Sequence, residues 1–204
     1  MKISHKDLEA CRLSPKSWVE AQGLNGGGRR LGYGRALALA IMEFHKTNSV
    51  ASASAKIDQY VAKNFTNEKR IANLYQNLDD YATWFDGSAV ISADSNVLLA
   101  FPVDQNWQLG GYVARIDSLA SRYRAILFEG IAAGWKDQLR MPLIQIAIAQ
   151  LYGRPANEVR VGLQEIDGNV IADTRYSKAQ RDAAFMEFMG IGSKVSKLWP
   201  KAKS

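Results

Sequence analysis

Hydrophobic positions along the chain change period near residue 87. Between residues 66 and 85, Ile71, Leu74, Tyr75, Leu78, Ala82 and Phe85 recur at spacings of three and four, which predicts an amphipathic helix. Upstream, residues 35–46 form an alanine-rich apolar run that reads as a buried helix, and residues 54–64 read as another. Ser14-Pro15 starts a helix that Gly23 should end, because serine caps well and proline suits the first helical position. Ser4, with Asp7 three residues on, predicts one more short helix at the start.

Beyond residue 87 the period shortens to two. Residues 89–93, 96–103 and 107–117 read as strands, with Asp94-Ser95 and Gln105-Asn106 at the turns. Residues 124–131 are nearly all apolar, as in a strand buried on both faces. Residues 138–152 form a helix closed by Gly153. Residues 158–166 and 169–174 flank Asp167-Gly168, a two-residue hairpin signal. Ser177 should cap a last helix running to Met189 and stopped by Gly190. A helix between two strands implies that those strands lie side by side, joined by a crossover. The expected fold is α/β or α+β: a helical lobe over residues 1–86 and a mixed sheet core over 87–192. A frayed basic tail with a docked Trp199 covers 193–204.

Composition adds limits. A chain of 204 residues with 47% hydrophobic residues and five tryptophans can bury a core of its own. One cysteine excludes an internal disulfide, and one cysteine with two histidines makes a structural zinc site unexpected. No apolar run is long enough for a transmembrane helix and the first residues lack a signal-peptide core, so the expected location is cytoplasmic, with no membrane partner. His5 and His45 are far apart with no paired nucleophile, and Cys11 reads as a small core residue. The net charge of +6 points to a polyanionic partner, nucleic acid first.

The basic residues have one concentration. Gly26-Gly27-Gly28 lets the backbone approach a phosphate, and Arg29, Arg30 and Arg35 add charge before a helix start. No Gly-Lys-Ser/Thr follows, so it is not a P-loop, and no strand leads into it as a dinucleotide fold requires. Tyr33 in the same stretch could stack on a base or pack on its own domain.

Residues 109–166 read strand, strand, helix, strand. This order resembles the PD-(D/E)XK superfamily, in its RecB-like and CRISPR-adaptation nuclease branch. Gly111-Tyr112-Val113-Ala114-Arg115 sits on that family's Gly-x-hydrophobic-Asp-Arg motif, with Ala114 at the acid. Leu127-Phe128-Glu129-Gly130-Ile131 sits on the Asp/Glu-x-Lys strand, with Glu129 as the carboxylate and Ile131 at the lysine. Ala38 stands where a metal-binding histidine would be, Gln145 fits the glutamine of the next helix, and Ala149 replaces the family's tyrosine.

Such nucleases hold Mg²⁺ or Mn²⁺ with two or more carboxylates and activate water against phosphorus. Glu129 alone cannot hold a hard cation tightly. Asp117 and Lys136 would have to replace the missing acid and lysine, and Asp117 falls on the face opposite Ala114 unless a bulge turns it inward. The bland alternatives are concrete: Glu129 pairs with Arg115 or Arg140, Asp117 is a strand-end turn residue, and Gln145 satisfies buried backbone.

The resemblance therefore implies a non-catalytic nucleic-acid-binding protein on a degenerate nuclease fold, an accessory subunit in phage, plasmid or defence-related DNA processing. Its contacts would come from Arg29, Arg30, Arg35, Arg115 and Arg140, with no cofactor and a possible protein partner in a larger complex. The alternatives are a divergent Mg²⁺- or Mn²⁺-dependent DNA nuclease using Glu129, Asp117, Lys136 and Gln145, and a protein-interaction module without a DNA role.

Overall fold

The structure is a computed structural model that describes residues 2–24, 32–102, 107–120, 122–167 and 169–202. It is a mixed α/β fold around a six-stranded sheet. In chain order the elements are β1 (Lys2–Ser4), α1 (Leu8–Leu13), α2 (Pro15–Leu24), α3 (Tyr33–Thr47), α4 (Val50–Asn64) and α5 (Glu68–Asp86). There follow β2 (Ile91–Pro102), β3 (Gln108–Leu119), β4 (Arg122–Phe128), α6 (Arg140–Leu151), β5 (Val159–Glu165), β6 (Val170–Thr174) and α7 (Lys178–Ala202).

β3 organises the sheet. β2 runs antiparallel along its length on one side. On the other side its first residues pair in parallel with β1 and its last residues pair antiparallel with β4. β5 then pairs in parallel with β4, and β6 antiparallel with β5. The parallel β4–β5 pair is linked through α6, the crossover the sequence implies.

Two apolar clusters sit on the two faces. One gathers Leu8, Cys11 and Val19 with Leu143, Ile148, Phe188 and Val195, so α1, α2, α6 and α7 share a layer. The other gathers Ile41, Phe44, Ile57, Leu78 and Tyr81 of α3, α4 and α5. The helices of the first 86 residues thus divide between the faces, although they read as one lobe in sequence.

Local capping follows side-chain chemistry. Ser49 Oγ accepts from the Ser52 N–H, which starts α4 four residues before the apolar pattern suggests. Asn67 Oδ1 accepts from the Arg70 N–H at 3.0 Å to start α5. Ser177 and Gln180 form a reciprocal capping box at the start of α7. Gly153 takes φ +59° after α6, the left-handed conformation expected at a helix end.

Four expectations are corrected. Ser4 ends a strand; its hydroxyl accepts from the Lys6 N–H, and the helix starts at Leu8. Asp94-Ser95 is no turn: β2 passes through it as one strand, using a register shift between Ser92 and Asp94 and a positive φ at Asn96. β4 ends at Phe128, before Glu129 and Ile131. Gly190 does not stop the last helix, which continues to Ala202. Gly192 is there for close packing, since a Cβ would stand 2.7 Å from the Trp107 ring. The predicted tail is therefore helical, with Val195 buried and Trp199 facing Trp18 at 6.1 Å between ring centroids. The Gln105-Asn106 turn and Gly168 lie outside the described residues.

Among the described residues no helix is long and apolar enough to cross a membrane.

Candidate functional site

A cavity of about 130 Å³ opens where the first turns of α3 meet the middle of β3 and the end of β4. Ala38, Ala114, Leu127 and Glu129 line it together, with Lys6, Gly34 and Arg35 at its walls. Three positions separated by up to 91 residues in sequence, those where the resembled family carries its histidine, acid and second carboxylate, thus converge at one place. Two of the three are alanine.

The strand register refines the alignment. Arg115 pairs with Ile126, so the next residue of β4, Leu127, is the one beside Ala114. Two carboxylates that share a metal across this ladder would stand at 114 and 127, and both positions are apolar. Glu129 lies two residues further on, past the end of β4, its N–H donating to the Gln164 carbonyl at 3.2 Å.

Glu129 is held by cations. Arg140 grips it with two hydrogen bonds, Nη1 to Oε1 at 3.1 Å and Nη2 to Oε2 at 2.6 Å, and its Nε donates to Gln138 Oε1. Lys6 Nζ lies 3.6 Å from Oε1. Burial alone would favour the protonated acid, but Arg140 and Lys6 outweigh it and hold the carboxyl below the usual carboxylate range. One predicted partner, Arg140, is correct; the other, Arg115, is engaged elsewhere.

Asp117 is fully buried. It accepts from Arg115 through both guanidinium nitrogens that face it, and from Arg124 Nε at 2.9 Å. Arg124 continues to Asp173 at 3.2 Å, and Asp173 to Arg160 at 2.5 Å. At the other end Arg115 donates to the Tyr81 hydroxyl, which lies 2.7 Å from His45 Nε2. Burial, then the nearby Arg115 charge, lowers the His45 pKa to about 3, so this ring is neutral. The chain of alternating charges crosses β3, β4, β5 and β6 and ties the sheet to α5. β3 keeps regular pairing with β4 from 115 to 119, and Asp117, committed to Arg115 and Arg124, does not line the cavity with Ala114.

The other predicted residues scatter. Lys136 is exposed, its amine 5.7 Å over the Trp135 ring, and does not line the cavity. Gln145 is buried on the opposite layer, where it donates to the Ala156 carbonyl and accepts from the Tyr176 N–H, the backbone-satisfying role. Arg115 is fully buried and so presents nothing to a nucleic-acid backbone, a correction to its expected contact. Arg35 does reach the cavity wall. Arg29 and Arg30 lie outside the described residues.

Sequence reasoning missed Lys6, Tyr81, Arg124, Arg160 and Asp173. Lys6 sits beside Glu129 only because β1 enters the sheet. Tyr81 and Asp173 join the charge chain from 34 and 49 residues away from their partners Arg115 and Arg124. His5 packs its ring over Gly111, whose φ is +125° and where a Cβ would fall 2.3 Å from His5 Cδ2. Its Nε2 lies 3.1 Å from the Tyr112 carbonyl, which can only accept, so Nε2 carries the proton. Burial, followed by the charge of Arg140, lowers the His5 pKa to about 4.

Among the described residues no group of three or more His, Cys, Asp or Glu side chains is placed to hold a metal. The donor set at the cavity, one carboxylate neutralised by an arginine and a lysine, does not fit the Mg²⁺ or Mn²⁺ of the resembled family.

No protein-family model and no curated protein matches the sequence. Among solved structures, the fold is similar to the crystal structure of a candidate exonuclease from Eubacterium rectale, with a TM-score of 0.61 and 7% sequence identity. The match covers 92% of this chain and 75% of that one. At that identity the likeness is one of fold alone: the architecture is nuclease-like.

Proposed function

We propose that this chain is a non-catalytic nucleic-acid-binding protein on a nuclease-like fold, acting as an accessory subunit in phage, plasmid or defence-related DNA processing. One observation carries the reading: the cavity that corresponds to the resembled nuclease site is walled by Ala38, Ala114 and Leu127, and its one acid is clamped by Arg140 and Lys6. Hydrolysis of a phosphodiester needs a metal-held or base-activated water, and these walls supply neither. What the site retains is positive charge facing a groove, within a chain of net charge +6. That combination suits phosphate contact without cutting.

Incubation of the purified protein with labelled single- and double-stranded DNA, with and without Mn²⁺, tests it. A mobility shift with intact DNA is expected. Mn²⁺-dependent cleavage lost in Glu129→Ala would establish the nuclease alternative, and neither a shift nor cleavage would leave the protein-interaction alternative.

A further inference from the structure

Three cavities meet at Gly34. The first is the Lys6–Arg35 cavity described above. The second shares Gly34, Phe128 and Glu129 with it and extends along Gln164 to Asp167. The third shares Gly34, Leu37 and Asp167 with the second and ends at Tyr33 and Arg70. They form one groove between the start of α3 and the ends of β4 and β5. At its centre, Gly34 has nothing within 4 Å of where a Cβ would stand, so a ligand can approach the backbone of the helix's first turn.

We propose that this groove binds a single nucleic-acid strand without a metal. A backbone phosphate sits between Lys6 and Arg35, and the polar edge of a nucleotide reaches Gln164. The inference rests on the nucleic-acid reading above and adds the strand type and its seat.

Charge supports the phosphate seat. Around the first cavity three cations, Lys6, Arg35 and Arg140, face one carboxylate, Glu129, whereas the charged residues in the described lining of the second are Glu129, Glu165 and Asp167 with no cation, so the backbone phosphate belongs to the first cavity. Arg140 is spent on Glu129, but Lys6 is half-exposed and the Arg35 side chain makes no ion pair or hydrogen bond among the described residues. The N-terminus of the fifteen-residue α3 adds a favourable dipole at the same point. In this arrangement Glu129 acts as a positioning residue: it holds Arg140 and Lys6 in place and opposes the incoming phosphate.

Gln164 supplies the independent sign of a ligand. It lines the second cavity and is fully buried, yet neither its amide oxygen nor its amide nitrogen has a hydrogen-bond partner. Buried amides are almost always satisfied. A primary amide presents one acceptor and two donors, which complement the edge of an unpaired base. Bases in a duplex already use that edge, so the site favours a single strand, whose bases can be turned out.

Fluorescence anisotropy of a labelled single-stranded oligonucleotide in EDTA tests this, with melting temperatures to confirm that each variant folds. Lys6→Ala and Arg35→Ala should each weaken binding about tenfold and lower the salt slope by about one unit. Glu129→Gln keeps the shape and removes a like charge, so it should tighten binding roughly threefold to tenfold. Gln164→Leu should weaken binding while raising the melting temperature, because an unpartnered amide is removed. If the parent binds but Lys6→Ala and Arg35→Ala bind equally tightly, the strand lies elsewhere; this inference falls and the nucleic-acid reading stands. If the parent binds only with Mn²⁺, and Glu129→Gln abolishes that binding, a metal site replaces the proposed seat. If the parent binds no oligonucleotide or duplex at low salt, both readings fall.

Discussion

Replacing Asp117 with alanine should strongly destabilise this protein. The carboxylate lies between two guanidiniums, that of Arg115 with no exposed side chain and that of Arg124 with 13%. Its removal leaves Arg115 with the Tyr81 hydroxyl and the faces of Trp84, Phe85 and Phe128, and no counter-charge. Breaking a buried pair from one side costs about 3–5 kcal/mol. In a domain of this size each kcal/mol lowers the melting temperature by about 2–4 °C, so a fall of about 6–20 °C is expected. Circular dichroism melts of the parent and of Asp117→Ala at neutral pH measure it. Removing both charges, in Arg115→Met with Asp117→Leu, should recover much of the loss, because the penalty belongs to the unpaired charge. A carboxylate kept for a metal behaves in the opposite way: without the metal, its removal relieves repulsion from neighbouring acids. An Asp117→Ala protein that melts within about 2 °C of the parent would refute the structural role and return Asp117 to the list of ligand candidates.

Other outcomes follow from single residues. Gly192→Ala should cost about 1–3 kcal/mol through its clash with Trp107, whereas Gly190→Ala, two residues away in open space, should stabilise α7 by up to about 1 kcal/mol; equal effects in paired melts would contradict the packing at Trp107. His5 and His45 have pKa values lowered to about 4 and about 3, so both are neutral in the folded protein while the unfolded chain protonates near 6.5. Their contribution is therefore fully present above pH 6.5 and is lost as pH falls toward 4 and 3, by at most about 2 kcal/mol per histidine at pH 5. A melting temperature that stays flat from pH 7 to pH 5 would contradict the buried neutral rings.

Much of the architecture is legible in the chain because its signals are local. The face of Leu74 and Leu78, the apolar run of β4 and the glycine after α6 each act within one element. What fails involves partners distant in sequence. β1 is three residues long and is a strand only because Gln108, Leu109 and Gly110 lie beside it. Gly190 and Gly192 look alike in sequence, and only the position of Trp107 tells a stop from a close contact. The candidate site divides in the same way. Glu129 and its Arg140 partner, eleven residues apart, are readable. The convergence of Ala38 with Ala114 follows from the family resemblance. Lys6, Tyr81 and Asp173 are not readable, since nothing near them signals a charge partner. The register also shows that Leu127, rather than Glu129, neighbours Ala114, a distinction of two residues that motif spacing cannot resolve.

The central claim is that this nuclease-like fold contacts nucleic acid through its own cations rather than through a metal. The most direct measurement is the affinity of the purified protein for labelled DNA in EDTA and in Mn²⁺, with strand length checked afterwards on a denaturing gel. The account predicts the same affinity in both buffers, a steep fall with salt, and DNA of unchanged length. Affinity that appears only with Mn²⁺, or strands shortened in its presence, would contradict it.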